Sequence, residues 1–417
     1  MEKKDYLIKD SIILFAATSI VNLSNFIFHM YVSRSLGPEK YGVVVTLLAL
    51  VIVIVMPSLA LQMTIAKRAS ILKAREKFGS VEHLYKKTSA WFLALGIAYF
   101  IIFTLGSGIF QEFFHIKDRM LLIILGLISV IALVLPVIRG ILQGLQNFIG
   151  FGSNLIIEAL LRLGFVVLLI TMGWGIRGAI ATTLFSNIIA YIAGFVLIAF
   201  LFKYKDDDVE VVSKGELFSY ALPVFLSMLG FALISYMDVF MVKHFHDEHS
   251  AGLYSATSII GKAFLFFPSA IALALFPKVS ENYELKKNTR GLLVKSLLLT
   301  AGISAVGVVL CFFFPRLVIG LLFGQKYFGI DYIVRIFGVA IMPVVLINVI
   351  MNYALAVHKY KFIYVMYAGI VLYGVLLWFF HSDFYQVLAV LFSVNLLILV
   401  ASMFVTWKEK RKEPEKQ

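Results

Sequence analysis

The stretch YVSRSLGPEKYG, Tyr31 to Gly42, ends one long apolar segment and begins the next, so it reads as a tight hairpin between two membrane-crossing helices. A fainter echo, MVKHFHDEHSAG, runs from Met241 to Gly252. His29 falls on Asp238 and Arg34 on Lys243, both at an offset of 209, while Glu39 falls on Glu248 and Gly42 on Gly252. Further on, Pro57 and Ser58 fall on Pro268 and Ser269, and Lys67 on Lys278, at an offset of 211. The shared order and spacing predict an internal repeat, two halves in the same orientation.

Composition sets the environment. Hydrophobic residues make up 61% of the 417 and mean hydropathy is +0.94, against roughly 45–50% apolar residues in ordinary soluble domains, so most of the chain belongs in a bilayer. The single cysteine, Cys311, lies in an apolar run, which leaves no disulfide framework and no cysteine metal site. The first apolar segment continues to His29, beyond signal-peptide length, and reads as an uncleaved span.

With about 20 apolar residues needed per crossing, spans are expected near 11–33, 41–66, 88–110, 120–146, 150–172, 178–202, 216–242, 251–277, 291–314, 330–357, 361–381 and 384–407. The expected fold is therefore an all-α integral membrane protein of twelve transmembrane helices in two six-helix lobes, 1–205 and 206–417. The charged stretch KYKDDDVEVVSK, 203–214, joins them. The piece at 315–330 reads as a short interfacial or re-entrant segment.

Orientation follows from the basic residues. If the N-terminus is cytoplasmic, 25 of the 37 Lys and Arg fall on the inner side, 8 on the outer side, and Arg162, Lys262, Lys295 and Arg335 within spans. Both termini are then inside. Topology and anionic inner-leaflet lipid account for the net charge of +13, and nucleic acid is not needed as a partner.

The longest polar connection, 67–87, is too short for a folded domain, so any chemistry belongs among the helices. Membrane glycosyltransferases, polymerases and ligases, which need acidic clusters or sizeable external domains, fit poorly. No enzyme is expected. Asp206, Asp207 and Asp208 read as a solvated patch in the linker. His244, His246 and His249 with Asp247 and Glu248 have spacing that could hold an outer metal, or form a plain polar turn.

Polar residues recur at helical spacing inside the spans. Thr18, Asn22, Asn25 and His29 form one stripe; Arg139, Gln143 and Gln146, then Asn154, Glu158 and Arg162, form others. Ser255, Ser258, Lys262 and Ser269 repeat the pattern in the eighth span, and Asn348 and Asn352 in the tenth. Such stripes should face a wet interior. An ionised residue at mid-helix costs roughly 2.5–3.5 kcal/mol, so Arg139, Glu158, Arg162, Asp238, Lys262 and Arg335 must meet each other or water. Glu158 and Arg162 stand one turn apart and either bridge or meet a substrate. Lys262 is either reached by Asp238 or Glu158 across the bundle or kept for an anion. Arg34 is either an interfacial anchor or a ligand contact.

SRSLGPEKYG at the first hairpin and RGILQGLQNF, Arg139 to Phe148, resemble the Wzx-type polysaccharide flippases of the multidrug/oligosaccharidyl-lipid/polysaccharide exporter superfamily. The resemblance implies two six-helix lobes around a central cavity and a substrate built on isoprenoid pyrophosphate carrying a short glycan. It also implies a bacterial cytoplasmic membrane and association with polysaccharide assembly proteins. Carried over, it gives Arg139, Arg162 and Lys262 the pyrophosphate, with Arg34, Asn25 and His29 as further substrate contacts.

Such a head group would lose its water in hydrocarbon without replacement, and arginine donors match phosphate oxygens. The membrane potential favours outward movement of an anion by roughly 2.3 kcal/mol per charge per 100 mV. No cofactor is expected. Coupled H+ or Na+ influx is optional, and Asp238 and Glu158 are the residues that would carry the ion. Two competing functions are a drug/cation antiporter of the same fold and a non-transporting envelope assembly subunit.

Overall fold

The structure, a computed structural model, describes residues 2–56, 58–204, 214–263, 279, 282–283, 285 and 287–408, with side chains from 12 and from 222 in the first and third of these segments. It is helical, with no strand among the described residues. The chain reverses at Gly37. Helix α1 (Glu2–Val55) is broken there by a left-handed residue, φ 77°, with Pro38 opening the second half. Glycine takes that φ without steric cost, and proline is suited to a helix start. Residues twelve apart on a straight helix stand about 18 Å apart, yet the His29 Nδ1 and Tyr41 hydroxyl are 3.1 Å apart. Only a fold-back permits that contact.

Two compact units follow, Met1–Phe225 and Leu226–Gln417. The first continues through α2 (Ser58–Ala74), α3 (Phe78–Leu105), α4 (Ser107–Phe114), α5 (Arg119–Gly144), α6 (Phe148–Thr171) and α7 (Gly175–Ile198). The helix α8 (Lys214–Phe245) spans the boundary. The second unit has α9 (Glu248–Ala263), α10 (Arg290–Phe313), α11 (Pro315–Leu322), α12 (Asp331–Ala340), α13 (Met342–Ala356), α14 (Lys361–Phe379) and α15 (Phe384–Lys408). The expected lobe boundary at 205–206 and the Asp206–Asp208 patch lie outside the described residues.

The repeat extends beyond the hairpins. Among the described residues the most buried crossing of each unit is the one from Arg119 to Gly144 or from Asp331 to Ala356, each 72% buried, and both ends are shifted by 212 positions (331−119 and 356−144). Each follows an eight-residue helix, α4 or α11, whose starts are 208 positions apart (315−107). A sequence apolar all round, such as MLLIILGLISVIALVLPVI in α5, suits either a bundle core or a lipid-facing span, and burial places α5 in the core. Pro136 and Pro343 occupy these central crossings.

Ten described helices are long and apolar enough to cross a membrane. The first of them, Ile12–Ala74, holds two expected spans folded at Gly37, and the expected span 251–277 is described only as far as Ala263. Twelve crossings in two sets of six fit this count. The supposed polar connection 67–87 is largely helical. α2 and α3 continue through it and only residues 75–77 are left between them, because Glu76 turns the chain with φ 58°. The segment expected to be interfacial is the short helix α11, and α4 is its unpredicted twin in the first unit.

Candidate functional site

Each unit holds an internal cluster of charges. In the first, α1 and α6 run parallel: Gly152 packs on Ala17, and ten residues later Arg162 lies over the ring of Phe28, 5.3 Å to its centroid. That register brings Asn25 to a level between Glu158 and Arg162. Arg139 on α5 faces the same helix. Its guanidinium donates to Glu158 Oε2 at 2.5 Å and through Nε to Asn154 Oδ1 at 2.9 Å. Asn154 donates in turn to the Ala190 carbonyl of α7 at 2.6 Å. Three helices are thus tied through one satisfied polar chain.

Arg162 is left over. Glu158, one turn away, bonds to Arg139, so the alternative of a Glu158–Arg162 bridge is not the arrangement found. The Arg162 Nε has no hydrogen-bond partner, nor has the buried Oδ1 of Asn25. Among the described residues, the contact made by the Arg162 guanidinium is the aromatic face of Phe28. His29 bonds Tyr41 and stands edge-on to Phe28, ring centroids 5.4 Å apart. Arg34 is exposed beside the hairpin.

In the second unit Asp238 on α8 is wholly buried. Its Oδ2 accepts from the Tyr254 hydroxyl at 2.9 Å, and its Oδ1 lies 4.0 Å from Lys262 Nζ. Lys262, itself 6% exposed, has its ammonium 4.0 Å from the centre of the Tyr236 ring. Asp238 is the carboxylate beside Lys262, at the outer limit of an ion pair, and neither Lys262 Nζ nor Asp238 Oδ1 has a hydrogen-bond partner. Arg335, grouped above with the deep charges, is exposed near the start of α12, 6.0 Å from the Phe312 ring.

Some polar stripe residues satisfy themselves and others do not. Ser255 donates to Ala251 O at 2.8 Å, while the buried Ser258 hydroxyl has no hydrogen-bond partner. Asn352 donates to Asn348 Oδ1 at 2.9 Å. Gln143 accepts from Gln62 at 3.3 Å, and Gln146 lies past the end of α5 with φ 58°, outside the stripe it was assigned to. Ser269 lies outside the described residues. Hydroxyl and amide groups in a bilayer find helix carbonyls or one another, so helical spacing alone does not mark a wet face.

RGILQGLQNF has a second content that residue-by-residue reading missed. A Cβ at Gly140 would stand 2.8 Å from Gln62 O, and one at Gly144 2.5 Å from Ala66 O. The glycines therefore let α5 lie against α2, as small residues four apart do in membranes. Asn147 then caps α6, accepting from Gly150 N at 2.9 Å. The G-x-x-x-G spacing was the available signal.

At the loops, Asp118 caps α5 and accepts from Arg177 Nε at 2.6 Å, a bond that holds its carboxyl below the usual carboxylate range. Asp247 caps α9, accepting from His249 N and Ser250 N, both at 3.0 Å; hydrogen bonding from Ser250 lowers its value too. His246 Nε2 lies 2.8 Å from His381 O, and burial pushes the imidazole below its ordinary value. His244 stacks on Trp378 and His246 on Phe384. No group of three metal-ligating side chains meets among the described residues.

Such a molecule, all helix with repeated crossings and charges held inside, has the architecture of a membrane transporter. Solved structures agree on the fold: an inward-facing multidrug resistance MATE family transporter of the MOP superfamily superposes with TM-score 0.78 at 14% identity, covering 93% of this chain and 94% of the other. A MOP superfamily transporter from Pyrococcus furiosus, described by the reverse polarity of its binding pocket, gives TM-score 0.63 at 15% identity over 97% and 95%. The chain belongs to the polysaccharide biosynthesis protein family of that superfamily, whose sequence profile matches residues 7–283. An uncharacterized membrane protein of Methanocaldococcus jannaschii is 23% identical over 75% of each chain. Stage V sporulation protein B of Bacillus subtilis is 22% identical over 69% of this chain, which spans 60% of that protein's length.

Proposed function

We propose that the protein is a flippase that moves an isoprenoid-pyrophosphate-linked oligosaccharide across the cytoplasmic membrane by alternating access, without catalysing a reaction. One observation carries this reading. Among the described residues Arg162 Nε has no hydrogen-bond partner, Glu158 one turn away being bonded to Arg139, and in the second unit Lys262 Nζ has none either, Asp238 Oδ1 standing 4.0 Å off. A permanently charged group in that position calls for an anion, and a pyrophosphate supplies oxygens in matching geometry. Asn25 and His29, on the α1 segment that carries Phe28, are the further contacts for phosphate or sugar. Arg139 and Lys262 then act at one remove, their charge shared with a carboxylate, and Asp238 and Glu158 are the groups through which H+ or Na+ would couple.

Membership of the polysaccharide biosynthesis family supports the glycan, and the basic asymmetry of the loops supports a cytoplasmic-membrane protein with both termini inside. The multidrug neighbours share the fold, so an antiporter expelling amphipathic cations is the competing reading. Proteoliposomes separate them. Wild-type protein should move a fluorescent polyprenyl-pyrophosphate glycan between leaflets, and Arg162→Gln should lower the rate at least tenfold while monomer yield stays unchanged. Efflux of cationic dye without glycan movement would replace the flippase with the antiporter. Absence of both activities would favour an assembly subunit.

A further inference from the structure

Four of the chain's eight histidines fall on two connections of the second unit: His244, His246 and His249 where α8 passes to α9, and His381 where α14 passes to α15. The matching hairpin of the first unit, residues 34–42, contains no histidine. Folding brings three of the four into one contact between the two connections. His381 lies flat on the Phe245 ring, with centroids 3.5 Å and planes 12° apart. His246 stacks on Phe384 at 4.9 Å, and His244 on Trp378 at 5.8 Å. His246 Nε2 also lies 2.8 Å from the His381 carbonyl. Each of these contacts crosses from one hairpin to the other, so the two connections are joined largely through imidazole rings.

We propose that this contact is a proton-sensitive latch, closed while its imidazoles are neutral and released as they take up protons. His381 Nδ1 is buried with no hydrogen-bond partner among the described residues, so a hydrogen placed there would go unsatisfied. Cations on both His246 and His381 would repel across a partly dry contact. Burial holds the His246 imidazole below its ordinary value and His381 adds to that effect, while the bond to the His381 carbonyl and the charges of Asp247 and Asp383 oppose it without offsetting it. Both carboxylates are already committed as helix caps, Asp247 to the amides of His249 and Ser250 and Asp383 to Gln386 N at 2.8 Å. Lys243 and Glu248 add one further charge of each sign on the α8–α9 side. A histidine whose value is lowered on closing is penalised when charged. The latch therefore has its full strength above the free-imidazole value of about 6.5 and weakens as pH falls from there toward the lower value of the closed contact. With the termini inside, the contact faces the exterior, where acidification would loosen this end of the second unit whatever molecule the protein moves.

The test uses the full chain in lipid nanodiscs and reads hydrogen–deuterium exchange of residues 243–250 and 380–386, corrected for the intrinsic pH dependence of exchange. Between pH 8 and pH 5, exchange in both connections should rise at least tenfold in the wild type, with a midpoint at or below about pH 6.5. His246→Gln combined with His381→Phe keeps an N–H donor and a flat ring but removes both titrations, and should hold at pH 5 the protection it has at pH 8. Should that double variant yield no folded monomer, His246→Gln alone decides, and its rise must be smaller than that of the wild type. Equal wild-type protection at both pH values, a midpoint near pH 4 that assigns the change to carboxylates, or variants that loosen as the wild type does would overturn the latch. Transport is not read, so either outcome leaves the flippase reading to its own test.

Discussion

The two units close their first hairpins at equivalent places with different chemistry. In the first unit Gly37 supplies a left-handed φ and Pro38 restarts the helix; in the second, Asp247 caps α9 by accepting from two backbone amides. His29 and Asp238, matched by the repeat, each bond a tyrosine of the following helix, Tyr41 or Tyr254. Their surroundings differ. The first unit ties Arg139 to Glu158 and Asn154 and leaves Arg162 over, while the second buries one acid beside one lysine. One fold has therefore been kept while its internal charges were rearranged, giving the first unit a net cation among these groups and the second a balanced pair.

Four single substitutions and one double replacement would break or sharpen that contrast. Gly144→Leu drives a side chain into the Ala66 carbonyl of α2, and should cost about 3 kcal/mol or abolish the folded monomer, read by thermal unfolding in detergent and by size-exclusion yield. Glu158→Gln strands Arg139, which cannot shed its proton. A loss of about 2 kcal/mol is expected, less than for a fully buried pair. Replacing both Arg139 and Glu158 by Met should restore most of it, and failure of that rescue would assign the effect to Asn154 instead. Asp238→Asn should cost less, about 1 kcal/mol, because lysine can give up its proton and the Tyr254 hydroxyl keeps an acceptor. A larger loss than in Glu158→Gln would reverse the contrast between the units. Flipping that ceases to depend on pH or Na+ in Asp238→Asn would identify the coupling group.

The smallest effect belongs to Asp118→Asn at the α5–α7 connection. The Asp118 carboxyl is held below its ordinary value by Arg177. Its contribution is full above about pH 4, the unfolded carboxylate value, and is lost as pH falls through the lower folded value. The bridge is half exposed and its worth small, so unfolding midpoints of variant and wild type should differ slightly at pH 7 and converge at pH 3.

The candidate site was legible in parts. Arg162, Asn25 and His29 stand out because charged and polar residues recur at helical spacing in apolar runs. Arg139 carried the same signal, yet its partner was the acid 19 positions on rather than a ligand, and Lys262 found Asp238 on the neighbouring helix. Periodicity gives the face of one helix and says nothing about which face of another meets it. The spacing of Gly140 and Gly144 is legible in RGILQGLQNF, but the helix they pack against, α2, is set by tertiary structure.

By itself the sequence determined that this is a helical membrane protein with repeated halves, and which residues it carries against the cost of burial. Length, apolar run and internal offset are properties of the chain, and a bilayer leaves few ways to satisfy them. Only the tertiary structure decided which charges cancel and which remains. Pairing depends on helix register and on approaches of a few ångströms between segments far apart in sequence, and within the first unit those approaches leave the guanidinium of Arg162 beside the ring of Phe28.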